Sequence, residues 1–423
     1  MYKENEGATA AVITASSDHD ILRELAREVA AIAALPEQAE TIALWKALNR
    51  LEPVRPMVTV HQVCWNEMNV GDELTLRCED DFCRHLEARL RQTMYRWNHM
   101  RADMVVRPFF GIPRVVRSTG CGVAVVEQRA VTDPTNGVVG HFYEDQLKTD
   151  EDLEKIRAPK ITYDREATEE RLARAHEIFD GILEVRATGR GPYFGAWDSI
   201  SMWRGVQNLI LDLIDRPAFM HRLISKVTDA LLAELDQLEE MGLLEFDQDL
   251  IHCSGAYSDE LPAEGADPAR PRARDIWTAG MSQIFSTVSP AMHKEFGIDY
   301  ATKWYARFGL VNYGCCEPLD QKLDIVREIP NLRKISMSPW VDVERGAEGI
   351  GPDFIFLRKP NPATLAPDSF DAAAVEKDLR DTMDACARNG CPLEYNLKDI
   401  STVRYDPARL WKWADVAMKV VRG

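Results

Sequence analysis

Short apolar runs recur along the chain, each ending in polar or nucleophilic groups and each followed by a stretch with helical spacing. The first run is Arg55-Pro-Met-Val-Thr-Val, which ends in His61, Gln62, Cys64 and Trp65. Later runs are Asp103 to Pro108, Leu243 to Asp247, Leu250 to Gly255 and Ile276 to Gln283. Then come Phe308 to Val311, Leu332 to Trp340, Phe354 to Pro360 and Pro392 to Asn396. β-branched runs without polar alternation read as strands buried on both faces, as in parallel sheets. Between them, apolar residues three and four apart predict helices from Asp72 to about Trp97, Thr168 to Phe179, Pro217 to Met241, Leu319 to Ile329 and Val343 to Ile350. Asp371 to Asn389, closed by Asn-Gly, and Pro407 to Val421 complete the set. Val123 to Arg129 and Gly137 to Asp145 read as a β excursion, and the Pro-rich stretch from Glu260 to Arg274 as an exposed loop.

Strands alternating with helices over this length predict a parallel α/β protein. The expected architecture is a (β/α)8 TIM barrel over residues 51–423, preceded by an N-terminal helical arm over 1–50. The arm holds two amphipathic helices broken at Leu35-Pro36, and its apolar surface predicts packing on the barrel or on a second copy, hence a homodimer. Neither a Gly-rich dinucleotide turn nor a phosphate loop is present.

Composition narrows the classes. The net charge of −17, from 51 basic and 68 acidic residues, argues against a general nucleic-acid or anionic-membrane partner. No stretch approaches the length of apolar chain that crosses a bilayer, about 18 residues. The first residues lack the basic region and apolar core of a secretory signal, so a cytoplasmic chain is expected. The nine cysteines are scattered and odd in number, which predicts free thiols rather than a disulfide framework.

In a barrel the carboxyl ends of separate strands converge on one mouth. That places His61, Gln62, Cys64, Trp65, Arg107, His252, Cys253, Gln283, Tyr313, Cys315, Cys316, Glu317, Lys359, Glu394 and Asn396 together, with Cys64 and Cys253 reading as packed rather than reactive. Thiol, imidazole and carboxylate groups suit zinc, which lowers the pKa of a bound thiol or water. Adjacent Cys315 and Cys316 are an awkward pair for one ion, and Cys316 reads equally as a small buried hydrophobe. His252 reads equally as a structural histidine and Glu394 as a salt-bridge partner of Lys359.

The order Arg55-Pro-Met-Val, Met281-Ser-Gln-Ile-Phe-Ser-Thr-Val-Ser289-Pro290, the strand ending at Cys315 and Lys359-Pro-Asn361-Pro362 resembles the uroporphyrinogen decarboxylase superfamily. That superfamily includes zinc methyltransferases that serve corrinoid proteins, and its fold is a (β/α)8 barrel. The resemblance runs from about Leu51 onward. The decarboxylase's arginine-bearing loop is replaced here by His61-Gln62-Val-Cys64-Trp65, and its gripping aspartate by Met281-Ser282-Gln283, so the tetrapyrrole is not the expected substrate. The methyltransferases' His-x-Cys aligns with Tyr313-Gly-Cys315, and their last cysteine with Glu394-Tyr-Asn396.

The resemblance implies a methyltransferase-like enzyme moving a methyl group between a small molecule and a corrinoid protein or thiol. Cys315, Cys316 and His252 are the expected metal ligands; Tyr313, Glu317 and Glu394 the expected catalytic groups. His61, Gln62, Trp65, Arg107, Gln283, Lys359 and Asn396 are expected at the substrate. The alternatives are a lyase on a small carboxylate, gripped by Lys359 and Arg107, and a binding barrel without chemistry.

Overall fold

A computed structural model of the chain describes residues 17–132, 134 and 139–423. Seven parallel strands form its main sheet: β1 (Met57–Val60), β2 (Tyr193–Phe194), β3 (Trp277–Gly280), β4 (Leu310–Tyr313), β5 (Leu332–Met337), β6 (Ile355–Arg358) and β7 (Leu393–Leu397). Their spatial order is β1-β7-β6-β5-β4-β3-β2, so the first strand lies beside the last and the rest follow in sequence. Six of the seven are buried at nearly every position, which is why they read as mainly apolar runs without regular polar alternation, broken by buried polar groups such as Lys334 and Glu394.

The sheet is an α/β wall, but among the described residues β1 and β2 are not paired, and a closed eight-stranded barrel is not seen. The expected strand Asp103 to Pro108 is absent. Asp103 instead uses its carboxylate: Oδ2 accepts the Val58 N–H at 2.8 Å and both oxygens take Arg55 at 2.6 and 2.9 Å. Its own N–H donates to Val58 O at 3.0 Å, so a side chain and one amide satisfy this edge of β1 where a ladder was expected. The strand that does form, Phe109–Pro113, pairs with Glu184–Thr188 in a separate two-stranded ladder. The run Leu243 to Asp247 forms no strand, and Leu250–Ile251 with Ser254–Gly255 makes an antiparallel hairpin.

Several helix starts are set by side-chain caps. Ser17 and Asp20 form a capping box on α1 (Asp18–Ala33). The long helix expected from Asp72 begins only at Asp81, because Asp80 accepts the Cys83 N–H at 3.0 Å and fixes the start of α3 (Asp81–Met100) there. Asp371 caps Ala372–Asn389, which closes on left-handed Gly390 as Asn-Gly predicts. The β excursion pairs Glu127–Ala130 with Gly140–Tyr143; residues 137 and 138 of the expected second run, like residues 1–16 of the expected arm, lie outside the described residues.

The arm packs on its own chain. α1 buries Leu22, Leu25, Ala26 and Val29 in a core shared with α3 and with Phe110, Ile112 and Phe179. α2 (Pro36–Asn49) drives Trp45 and Leu48 against Met57 and Ile355, closing the amino end of the sheet. Trp45 Nε1 donates to Asp103 O at 2.9 Å, satisfying its one polar atom. No helix among the described residues is long and apolar enough to cross a membrane.

Candidate active site

Beyond β4 the chain bends sharply. Gly314 has φ +98°, and a Cβ there would lie 2.6 Å from Leu319 Cδ1, so glycine is required for the turn that follows. Glu317 then folds back, fully buried, and its two oxygens accept the Ser282 N–H at 2.9 Å and the Cys315 N–H at 2.8 Å. Burial pushes its pKa upward against these bonds. Glu317 therefore ties the end of β3 to the loop after β4 and fixes the Cys315 backbone. Because residues 315 to 317 form a bend and not a strand, the alternation expected of adjacent cysteines does not apply. The two sulfurs lie 3.6 Å apart, Cys315 almost buried at 4% and Cys316 exposed.

Cys315 sits in a cationic cage. Lys398 Nζ approaches its Sγ at 3.3 Å, and Lys359 Nζ donates to its carbonyl oxygen at 3.0 Å. Both lysines are 3% exposed. The Cys315 thiol is held far below its ordinary pKa, first by the bond from Cys316, then by that from His252 and the charges of Lys359 and Lys398, which overcome burial. Cys316 is pushed the opposite way, by its bond to Cys315 and by burial. Burial works against the Lys398 charge, yet the Cys315 thiolate, Asp399 and Cys253 outweigh it and raise its pKa. For Lys359 burial wins and the shift is downward. The stable arrangement is a thiolate on Cys315 beside an ammonium on Lys398.

A strained hairpin brings His252 and Cys253 to this thiolate. They are the two central residues of the Ile251–Ser254 turn, with φ of 47° and 67° and no glycine at either position. Such backbone is costly for ordinary residues and persists only where its surroundings enforce it. Those surroundings lie inside the sheet. Lys334 and Glu394, both fully buried, pair at 2.8 Å, and both bind Ser254 Oγ, at 2.6 and 2.8 Å. Lys334 also donates to Gly255 O at 2.8 Å, and Thr59 Oγ1 to Cys253 O at 3.2 Å. The buried ion pair thus clamps the hairpin whose tip carries His252.

The structure gathers part of the expected constellation. Cys315, Cys316, His252 and Lys359 come together, with His61 at the end of β1 feeling the charge of Lys398. Burial, Arg96 and Lys398 lower the His61 pKa to about 3, so its ring is neutral at pH 7. Gln62 Oε1 accepts the Asp399 N–H at 3.3 Å, beside Lys398. Gln283 donates to Asp198 at 3.0 Å, and the Asp198 carboxyl is raised by burial and by the Cys315 charge. Asn396 faces the interior, fully buried, with neither amide atom bonded to the protein. Other residues stand elsewhere. Tyr313 points outward to His293 Nε2 at 2.6 Å, Trp65 packs edge-on to Tyr95, and Glu394 belongs to the hairpin clamp. Arg107 is held by Asp247 and does not form a clamp with Lys359.

Lys398, Asp198 and Lys334 are not among the residues the sequence singles out, whereas Cys253, expected at the strand ends as a packed thiol, lies beside His252. Lys398 had a signal: inward-facing Glu394 and Asn396 are two apart, and the same alternation continued one step reaches it. The turn at His252-Cys253 had none, because glycine and asparagine are the residues that mark such hairpins.

The donors do not fit zinc. Two thiols and an imidazole converge, but an ammonium group lies 3.3 Å from the sulfur that would bind the ion. Among the described residues no group of three His, Cys, Asp or Glu side chains is placed to hold a metal. A metal cation on that sulfur would also lie close to the Lys398 ammonium, and like charges repel.

No family model matches the chain, and no curated protein matches it. A solved structure of a methyltransferase from Methanosarcina mazei is similar to it at 12% sequence identity and a TM-score of 0.48, over 89% of this chain and 97% of that one.

Proposed function

We propose that the chain is a group-transfer enzyme whose nucleophile is the Cys315 thiolate. The single observation that carries this reading is the Lys398 ammonium 3.3 Å from an almost buried Cys315 sulfur. A thiolate of this kind attacks an electrophilic carbon: the sulfur lone pair forms the S–C bond, and the leaving group departs with the electrons of the bond that breaks. Lys359 and Lys398 favour a substrate that carries or develops negative charge, while the neutral His61 ring and the Asp198 carboxyl, pushed upward by burial, stand by to exchange a proton.

The group transferred is methyl in this proposal, on the residue resemblance at Met281–Pro290 and Lys359–Pro362 to a superfamily that includes zinc methyltransferases. The partner in the second half is a corrinoid protein or a thiol. No step is assigned to zinc. The wall belongs, on this reading, to a (β/α)8 barrel with one strand position taken by the Asp103 edge. A cytoplasmic homodimer is part of the same proposal, and sedimentation decides the dimer.

The test is a panel of O-, N- and S-methylated small carboxylates with free cob(I)alamin as acceptor, followed by its absorbance. Transfer in the parent chain and its loss in Cys315→Ser support the reading. Carbon dioxide release without methyl transfer would replace it with the lyase, which the two buried lysines at the mouth also favour.

A further inference from the structure

On the far side of β1 from β7, a cavity of about 410 Å³ opens where the expected second strand does not form. Its walls come from β1, α3, the 103–111 segment and the 245–257 stretch. A strand edge facing a cavity leaves carbonyl groups to satisfy. Arg96, on α3, serves one of them, donating from Nη2 to Val60 O at 2.6 Å. The rest of that guanidinium has no acidic partner within 4 Å among the described residues, and its Nε is buried without a bond. Arg89, seven residues earlier and on the same face of α3, donates to Gly111 O at 2.8 Å and likewise has no acidic partner there.

The acids of the same cavity are already occupied. Asp103 is held by Arg55, Asp247 by Arg107, and Asp249 lies 3.9 Å from Arg107. Glu245 accepts the backbone N–H groups of Gly189 and Asp247. Arg101 pairs with Glu37 at 3.4 Å. Neither guanidinium has an acidic partner within 4 Å among the described residues; Arg89 lies over the Phe110 ring at 4.1 Å, and Arg96 feels the Asp249 charge only at longer range. Phe109, Phe110 and Trp45 supply apolar wall beside them, and Tyr257 Oη is a further buried polar atom without partner. A buried cation without a counter-ion is unfavourable, and an entering anion that bonds to it recovers that cost. The volume suits a small organic molecule. His61 lines this cavity and also feels the Lys398 charge, which connects it to the thiolate.

We propose that this cavity binds a small organic anion, its acidic group on Arg96 with Arg89 beside it and its apolar body against the cavity's apolar wall. The assignment of that anion as the substrate of Cys315 rests on the proposed function; the binding does not.

The test is a fluorescence titration of the full chain with 1-anilinonaphthalene-8-sulfonate, competed by benzoate and, separately, by inorganic phosphate. One site displaced by benzoate is expected. Arg96→Met should weaken it about tenfold or more, which is about 1.4 kcal/mol. Arg89→Met should weaken it less, and Arg96→Lys should keep most of the affinity because the charge remains. Arg327→Met, at a surface pair with Asp353, serves as control and should bind as the parent does. Circular dichroism checks that each variant is folded, and Arg89→Met carries the test if Arg96→Met is not. Unchanged affinity in both methionine variants overturns the proposal, as does displacement by phosphate but not benzoate. Cys315→Ser should bind the probe normally, so a chain that binds but transfers nothing condemns the proposed chemistry and not this site.

Discussion

Lys398→Met isolates the interaction on which the proposed chemistry depends. Methionine keeps most of the apolar stem and removes the charge 3.3 Å from the Cys315 sulfur. Two unit charges at that distance attract by about 5 kcal/mol at an effective dielectric near 20, and by about 2.5 kcal/mol near 40. At about 1.4 kcal/mol per pH unit, the thiol should titrate roughly two to four pH units higher in the variant. Lys359 and the bond from Cys316 remain, which favours the lower figure. The sign is clear: a depressed thiol pKa means the thiolate persists as pH falls, and removing the cation returns the proton at higher pH. Brief iodoacetamide pulses between pH 4 and 9, with peptide mapping that separates Cys315 from Cys316, read the titration directly. The parent rate at Cys315 should be flat over most of that range, and the variant's should fall at the acid end. Superimposable profiles, or a parent inflection at the ordinary thiol value of about 8.5, would refute the electrostatic account.

Other perturbations test the scaffold. Lys334→Met leaves Glu394 buried and unpaired, so urea unfolding should show a loss of about 3–5 kcal/mol, with much of it restored in Lys334→Met/Glu394→Met; a single-variant loss under about 1 kcal/mol contradicts the clamp. Gly314→Ala forces a side chain into φ +98° against Leu319 and should cost about 1–3 kcal/mol while slowing Cys315 alkylation at pH 6; unaltered melting and labelling would show that the bend tolerates a Cβ. A chain beginning at Pro53 loses Trp45 and Leu48 from beneath the sheet and should not unfold cooperatively; a melting curve like the parent's would show the helical arm to be dispensable.

The α/β alternation was legible because buried parallel strands are written as mainly apolar runs, and six of the main-sheet strands fall on those runs. The missing second strand was not. Met104 to Val106 carry strand residues, but Asp103 and Arg55 satisfy the edge of β1 through side chains that no periodicity reveals. The position of Cys315 was legible from the strand end and the preceding glycine, whereas its chemistry was not. What sets that chemistry is Lys398, one alternation step past the residues taken from β7, and a hairpin tip in a conformation its sequence does not advertise. Tyr313 shows the opposite error. It lies on the right strand but on the outward face, where it bonds His293, because a one-residue difference in a strand exchanges core-facing and helix-facing positions. The strand-end position of Glu317 suggests a reactive carboxylate, but the bend after Gly314 turns it inward onto two amides.

The most direct measurement of the central claim is a race among the chain's nine cysteines. The folded parent protein is treated at pH 6 with less than one equivalent of iodoacetamide, and the modified residue is identified by peptide mapping. Accessibility alone favours Cys316, which is exposed, over Cys315, which is almost buried. The account predicts that Cys315 is alkylated first, because the thiolate and not the thiol is the nucleophile and Cys315 is where the charge resides. Labelling of Cys316 first, or no labelling of either residue at pH 6, would contradict it.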